Sequence, residues 1–170
     1  DHYLRMALNA GYAIFRWDKR GTGRSGAGVR GSVVEDAVNA YDTALHQPHI
    51  NYERVVILAQ GEGTVMLGDN YGLFGRIRQP DGVILVGNML DPDEVLAINT
   101  PLMIVTGDTD WNDWKIYARA ACAAHNKTYN RNASYYVARN ANRMLKVNQG
   151  GSGPFHFGAE KEMTDWLLSL

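Results

Sequence analysis

Residues 54–67, RVVILAQGEGTVML, constrain the fold more than any other stretch of the chain. A charged residue opens Val55–Leu58, a short β-branched apolar run of the kind that forms a strand buried on both faces. Ala59-Gln60-Gly61-Glu62-Gly63-Thr64 follows, and then an apolar segment compatible with a helix. A strand that turns sharply at glycines into a helix belongs to a sheet of parallel strands joined by crossover helices.

The same alternation recurs along the chain. Leu4, Ala7 and Leu8 lie at helical spacing, and Asn9-Ala10-Gly11 ends that helix with a glycine stop. Tyr12–Trp17 (YAIFRW) reads as an aromatic-rich strand, followed by a polar, Gly-rich loop over Asp18–Gly31. Ser32 and Glu35 form a capping box, and Val34, Ala37, Val38, Tyr41 and Leu45 make one apolar stripe of a helix to about His46. After Val55–Leu58 come a helix over Thr64–Arg78, weakened by Gly68 and Gly72, the buried-type strand Gly82–Val86, and one short helix in Pro92–Ala97. Leu102–Thr106 and Ser134–Ala138 are the last strands. Trp114–His125 is an Ala-rich helix. A loop with Gly150, Gly151 and Gly153 leads to the final helix, Ala159–Leu170, whose apolar face is Met163, Trp166, Leu167 and Leu170. The expectation is an α/β fold, a three-layer sandwich around a mostly parallel sheet of about five strands, without a lid.

The 170 residues fit a single domain over 1–170 that buries a substantial core. Net charge −1 supplies no pull toward nucleic acid or an anionic membrane. No apolar run approaches the roughly 18–20 residues of a membrane span, and no signal peptide opens the chain. The opening Asp1-His2-Tyr3-Leu4-Arg5 reads as the middle of a helix. The single Cys122 excludes an intramolecular disulfide framework and a Cys-rich zinc site. His46, His49 and His125 have no ligand spacing with each other, so no metal is expected. The expectations are a soluble, cytoplasmic protein with no nucleic-acid or membrane partner.

Ligands of open α/β sheets bind at the carboxyl ends of the strands, so the loops there carry the functional reading. Gly21-Thr22-Gly23-Arg24-Ser25-Gly26 matches the dinucleotide pattern G-x-G-x-x-G. Asp18-Lys19-Arg20 separates it from the strand, however, and the helix begins only near Ser32, too late to cradle a pyrophosphate. A Gly-rich turn closed by salt bridges is the competing reading, and no cofactor is expected. The 59–64 turn has the form of a nucleophile elbow, in which G-x-S-x-G places a Ser at the tip of a strained turn. Position 61 is Gly.

Asp18-Lys19-Arg20-Gly21-Thr22-Gly23-Arg24-Ser25 resembles the D-x-R-G-x-G-x-S loop after the fourth strand of α/β-hydrolases, and Ala10-Gly11-Tyr12-Ala13 the helix-to-strand join before it. Glu35-Asp36 and Arg54–Gly63 resemble the esterase and peptidase-like branch, whose elbow often reads G-H-S-E-G-G. Thr100–Asp110 (TPLMIVTGDTD) resembles the strand that delivers the triad acid, and Val137–Leu145 (VARNANRML) the segment that carries the triad His. The resemblance runs from the first helix to the last. It implies triad positions at Gly61, Asp110 and Arg143. Acyl transfer needs a nucleophile, a base and an acid that orients the base. Gly61 has no side chain, and the Arg143 guanidinium stays protonated at neutral pH. The Glu62 N–H remains as an oxyanion donor, while its usual partner lies before the first helix.

The resemblance also implies that three strands are absent, the third of which normally separates the strands represented by Tyr12–Trp17 and Val55–Leu58. Closure of those two into a five-stranded sheet is expected, with an exposed edge favouring a homo-oligomer; a strand from another chain is the alternative. The resulting expectation is a catalytically inactive, hydrolase-like protein with degenerate triad positions. It would bind a small-molecule ligand or a protein at the former active-site edge through Gln60, Glu62, Asp110, Trp111 and Arg143. The alternative is a weak esterase-like hydrolase with Thr64 or Ser25 as nucleophile and His156 as substitute base. Asp110 pairs with Arg143 or serves as a loop acid or cap. His156, between two Phe residues, also reads as a packed or solvated histidine. Trp17, Trp111, Trp114 and Tyr117 line a pocket or pack the core and rim.

Overall fold

The computed structural model describes residues 2–26, 28, 30–110, 113–147 and 153–170. Trp111, Asn112, Gly150 and Gly151 lie outside the described residues. The elements in order are α1 (His2–Asn9), α2 (Val33–Leu45), β1 (Val56–Gln60), α3 (Glu62–Ile77) and β2 (Gly82–Val86). A 3-10 turn at Glu94–Ala97 precedes β3 (Leu102–Gly107), and α4 (Trp114–Tyr129), β4 (Ser134–Ala138) and α5 (Phe157–Ser169) complete the fold. The four strands form one parallel sheet in sequential order, with Gln60 beside Val86, Ile84 beside Met103, and Val105 beside Tyr136.

Successive side chains of a strand point to opposite faces, and both faces of this sheet are covered. Ile57, Ala59, Val83, Leu85, Leu102 and Ile104 pack toward Ala37 and Tyr41 of α2, Leu67 and Phe74 of α3, and Ala118, Ala121 and Cys122 of α4. Val56, Leu58, Ile84, Val86, Met103 and Val105 pack on the other face against Met6 of α1 and Ala159, Met163 and Leu167 of α5. Double coverage explains why β2 and β3, buried at every position, read as continuous apolar runs rather than alternating ones.

The expected capping box at the start of α2 is present, Ser32 Oγ accepting from the Glu35 N–H while the Glu35 carboxylate accepts from the Ser32 N–H. The expected helix at α1 is present, and its buried side is only partly made of the residues whose spacing marked it. Met6 and Ala7 are buried and Tyr3 and Ala10 pack against the same cluster, a 3-6-7-10 spacing, whereas Leu4 and Leu8 face solvent.

The sheet has four strands instead of about five. Tyr12–Trp17 forms no ladder, and the expected closure onto β1 does not occur. α1 and α2 cover opposite faces, so the chain between them must pass round the β1 edge. Tyr12 fastens one end by donating its hydroxyl proton to Leu167 O, and Arg20 fastens the other on Asp36. Phe15 and Trp17 are 40% and 48% exposed, which leaves the local backbone hydrated rather than buried and unpaired.

Gly68 and Gly72 play different parts in α3. A Cβ on Gly68 would stand 2.8 Å from the Leu90 methyls, so the glycine is the contact. A Cβ on Gly72 would meet nothing within 4 Å. Gly72→Ala is expected to stabilise the fold by about 0.5–1 kcal/mol, and Gly68→Ala to cost about 1–3 kcal/mol through overpacking. Paired urea titrations check both signs.

His125 of α4 is fully buried, its Nε2–H donating to Ile98 O at 2.7 Å, and its Nδ1 has no partner among the described residues. Burial lowers its pKa, and the Arg131 charge adds to the shift. The unfolded chain therefore binds this proton more readily. Stability should be complete above about pH 6.5 and fall as pH drops below it. Melting temperatures between pH 7.5 and 5.5 should decline more steeply for the parent than for His125→Gln.

Candidate functional site

β1 delivers Gln60 to the carboxyl edge of the sheet, and the chain reverses at Gly61 into α3. Gly61 has φ 55° and ψ −124°, a backbone conformation open to glycine and strained for other residues. The turn is held from both sides. Gly61 N–H donates to Val86 O at 2.9 Å, and the Thr64 hydroxyl donates to Gly61 O at 2.7 Å while accepting from the Met89 N–H at 3.1 Å. A Cβ placed on Gly61 would meet no heavy atom within 4 Å, so the tip is open as well as bare. Glu62 is exposed in the first turn of α3.

The loop after β4 lies across the ends of β2 and β3. A Cβ on Gly107 would fall 2.2 Å from Ala141 O and 2.3 Å from Asn142 O, and one on Gly87 would fall 2.8 Å from Arg143 O. Two glycines at strand ends thus admit a backbone that no side chain would allow. Asn142 stiffens the loop by accepting from the Met144 and Lys146 N–H groups, and Leu145 is fully buried. This places Arg143 against Asp110 at the end of β3. Arg143 Nε and Nη2 stand 3.4 and 3.3 Å from the same Asp110 oxygen, with the carboxylate side chain 4% exposed and the guanidinium 33%. Of the two roles read for Asp110, the structure shows the ion pair.

Other candidate residues serve the fold. His156 is the N-cap of α5, its Nδ1 accepting from the Ala159 N–H at 3.0 Å. Thr64 is fully buried with both hydroxyl functions occupied. Ser25 Oγ donates to Asp18 O in the exposed loop. Trp111 lies outside the described residues. Trp17 lies on the exposed strap, and Trp114 packs against Tyr117 at the start of α4. Among the described residues no three His, Cys, Asp or Glu side chains come together as metal ligands.

The Gly-rich loop is closed by its own residues. Arg20 grips Asp36 with two bonds of 2.6 and 2.7 Å and also donates to the carbonyls of Arg30, Gly31 and Ser32. The Asp18 carboxylate accepts from the Arg24 N–H and occupies the space that a Gly23 side chain would need. That glycine faces a carboxylate, which is no cradle for a phosphate.

One side chain beside the elbow, Tyr3, carried no sequence signal. Gln60 Nε2 donates to the Tyr3 hydroxyl at 3.0 Å, and burial raises that phenol above its ordinary pKa. Tyr3 meets Phe155 edge-on, and His2 stacks on the same ring at 4.7 Å. The first turn of α1 therefore borders the elbow, a neighbourhood set by tertiary packing across 57 positions of sequence.

No family model and no curated protein matches the chain. Among solved structures, the crystal structure of the esterase domain from a Rhodothermus marinus protein superposes with a TM-score of 0.69 at 15% identity, covering 99% of this chain and 78% of that one. The two share a fold. The likeness is one of fold, and the chemistry rests on the residues at the strand ends. The described residues contain no helix long and apolar enough to cross a membrane.

Gly107→Ala should collide with backbone oxygens and cost at least about 3 kcal/mol, whereas Gly61→Ala should cost only the left-handed strain of about 1–2 kcal/mol. Chemical denaturation of the two variants tests the contrast.

Proposed function

We propose that this chain is a hydrolase-like binding protein that holds a small ligand at the carboxyl edge of its sheet without catalysing its turnover. One observation carries the reading. The residue at the tip of an intact elbow turn is Gly61, whose left-handed backbone projects no side chain. A covalent route needs a nucleophile at that tip, within reach of a base. The residue at the base position, Arg143, is an obligate cation engaged with Asp110. The former triad positions thus provide a cation, a shielded carboxylate and an open tip.

The esterase-like alternative has less support, because the Thr64 hydroxyl and His156 Nδ1 already serve the elbow and the α5 cap. A second reading rests on the outer edge of β1, which has no strand partner among the described residues. In that reading a second copy completes the sheet, as an open edge invites.

Treatment with a fluorophosphonate followed by intact-mass measurement tests the principal reading. No adduct is expected on the parent protein. Gly61→Ser alone should react only slowly, since position 143 supplies no base. Stoichiometric labelling of a parent hydroxyl would sink the proposal.

A further inference from the structure

The opposite end of the sheet carries a cleft, about 400 Å³ in volume, between the segments that enter β2, β3 and β4. Its floor is a polar network. Tyr71 OH and Thr100 Oγ1 are hydrogen-bonded, and Gln79 Nε2 lies 2.8 Å from Thr100 Oγ1, 2.7 Å from Asn99 Oδ1 and 3.1 Å from Tyr71 OH. Pro80 and Pro101 form apolar walls.

The charge balance of this cleft is uneven. The Asp81 carboxylate is committed to Arg78 at 2.8 Å and to the Val55 N–H at 2.7 Å. Arg131 also lines the cleft and has no ion-pair partner among the described residues. Its positive charge acts on Tyr71 and His125 beneath it. The Asn99 amide accepts from Gln79 through its oxygen, and its NH2 donors have no protein partner among the described residues. The surplus is therefore one positive charge and several N–H donors, which a ligand with negative charge and acceptor oxygens complements.

We infer that this cleft is a binding site for a small organic anion. Its carboxylate or phosphate pairs with Arg131 and the Asn99 amide, and its body lies against Pro80 and Pro101. The site is independent of the elbow, which stands at the other end of the strands. The C-terminus of α4, at Asn130, attracts the same guanidinium through its partial negative charge, and that attraction is the competing role for Arg131.

Titration calorimetry on the intact protein with succinate, inorganic phosphate and the neutral control succinamide tests the inference, with amide shifts of Asn99 and Thr100 read by NMR. Saturable binding is expected for at least one anion and not for succinamide, and the two anions separate a carboxylate site from a phosphate site. Arg131→Gln should weaken that binding on the order of tenfold or more, the loss of a charge-assisted pair. Arg139→Gln, an exposed cation at the other end of the strands, should leave it unchanged. Asn99→Ala, a substitution at an exposed position, supplies a second variant should Arg131→Gln fold poorly, and it should weaken binding too. Four results would overturn the inference: no saturable binding, equal binding of succinamide, loss with Arg139→Gln instead, or an Arg131→Gln variant with lowered stability and unaltered anion affinity.

Discussion

The arrangement at the carboxyl edge depends on backbone approaching backbone where no side chain fits. At Gly107 a single added carbon would lie 2.2 Å from a carbonyl oxygen of the 139–147 loop, and Gly87 imposes the same restriction one strand away. That contact lays the loop across the ends of β2 and β3 and sets Arg143 on Asp110. The glycine at the elbow has another role, since Gly61 is required by its φ of 55° and has free space around it. Close approach at one pair of glycines and conformational freedom at the third together shape the site.

Within that frame, Asp110 accounts for the basic residue opposite it. A carboxylate with 4% of its side chain exposed loses most of its hydration, and an unpaired charge there would be costly. A hydrogen-bonded imidazole or a guanidinium each satisfies that requirement, but only the imidazole exchanges a proton near neutral pH. The architecture therefore accommodates Arg143 structurally, and a guanidinium at that position performs no proton exchange near neutral pH. Stability and chemistry make separable demands on the same position.

Much of the architecture was legible in the chain. β2 and Gly82–Val86 coincide, because a strand buried on both faces must be apolar throughout and is bounded by residues that cannot be. The Ser32–Glu35 capping box was legible for a similar reason, as its partners lie within one helical turn. Tyr12–Trp17 shows the limit of such reasoning. Its composition suits a strand, yet strand formation needs a neighbour, and the chain there passes round an edge. The helix of α1 was legible from its spacing, but its buried side was not, because that side is set by what α5 and Phe155 present. The elbow and the Asp110–Arg143 pair were visible through spacing and resemblance. Tyr3 at Gln60 was not, since nothing local announces a contact between α1 and the elbow.

The geometry of the elbow follows from what the turn does for the sheet. It lets β1 hand over to α3 in one residue, with Gly61 N–H bonded to β2 and Thr64 locking the first helical turn to both Gly61 and Met89. A serine at position 61 would adopt the same backbone at a strain of about 1–2 kcal/mol, which an enzyme tolerates for the sake of reactivity. Glycine meets the same geometry without that strain. Glycine is therefore the residue that the turn itself favours, and the shape of the turn does not depend on a side chain at its tip.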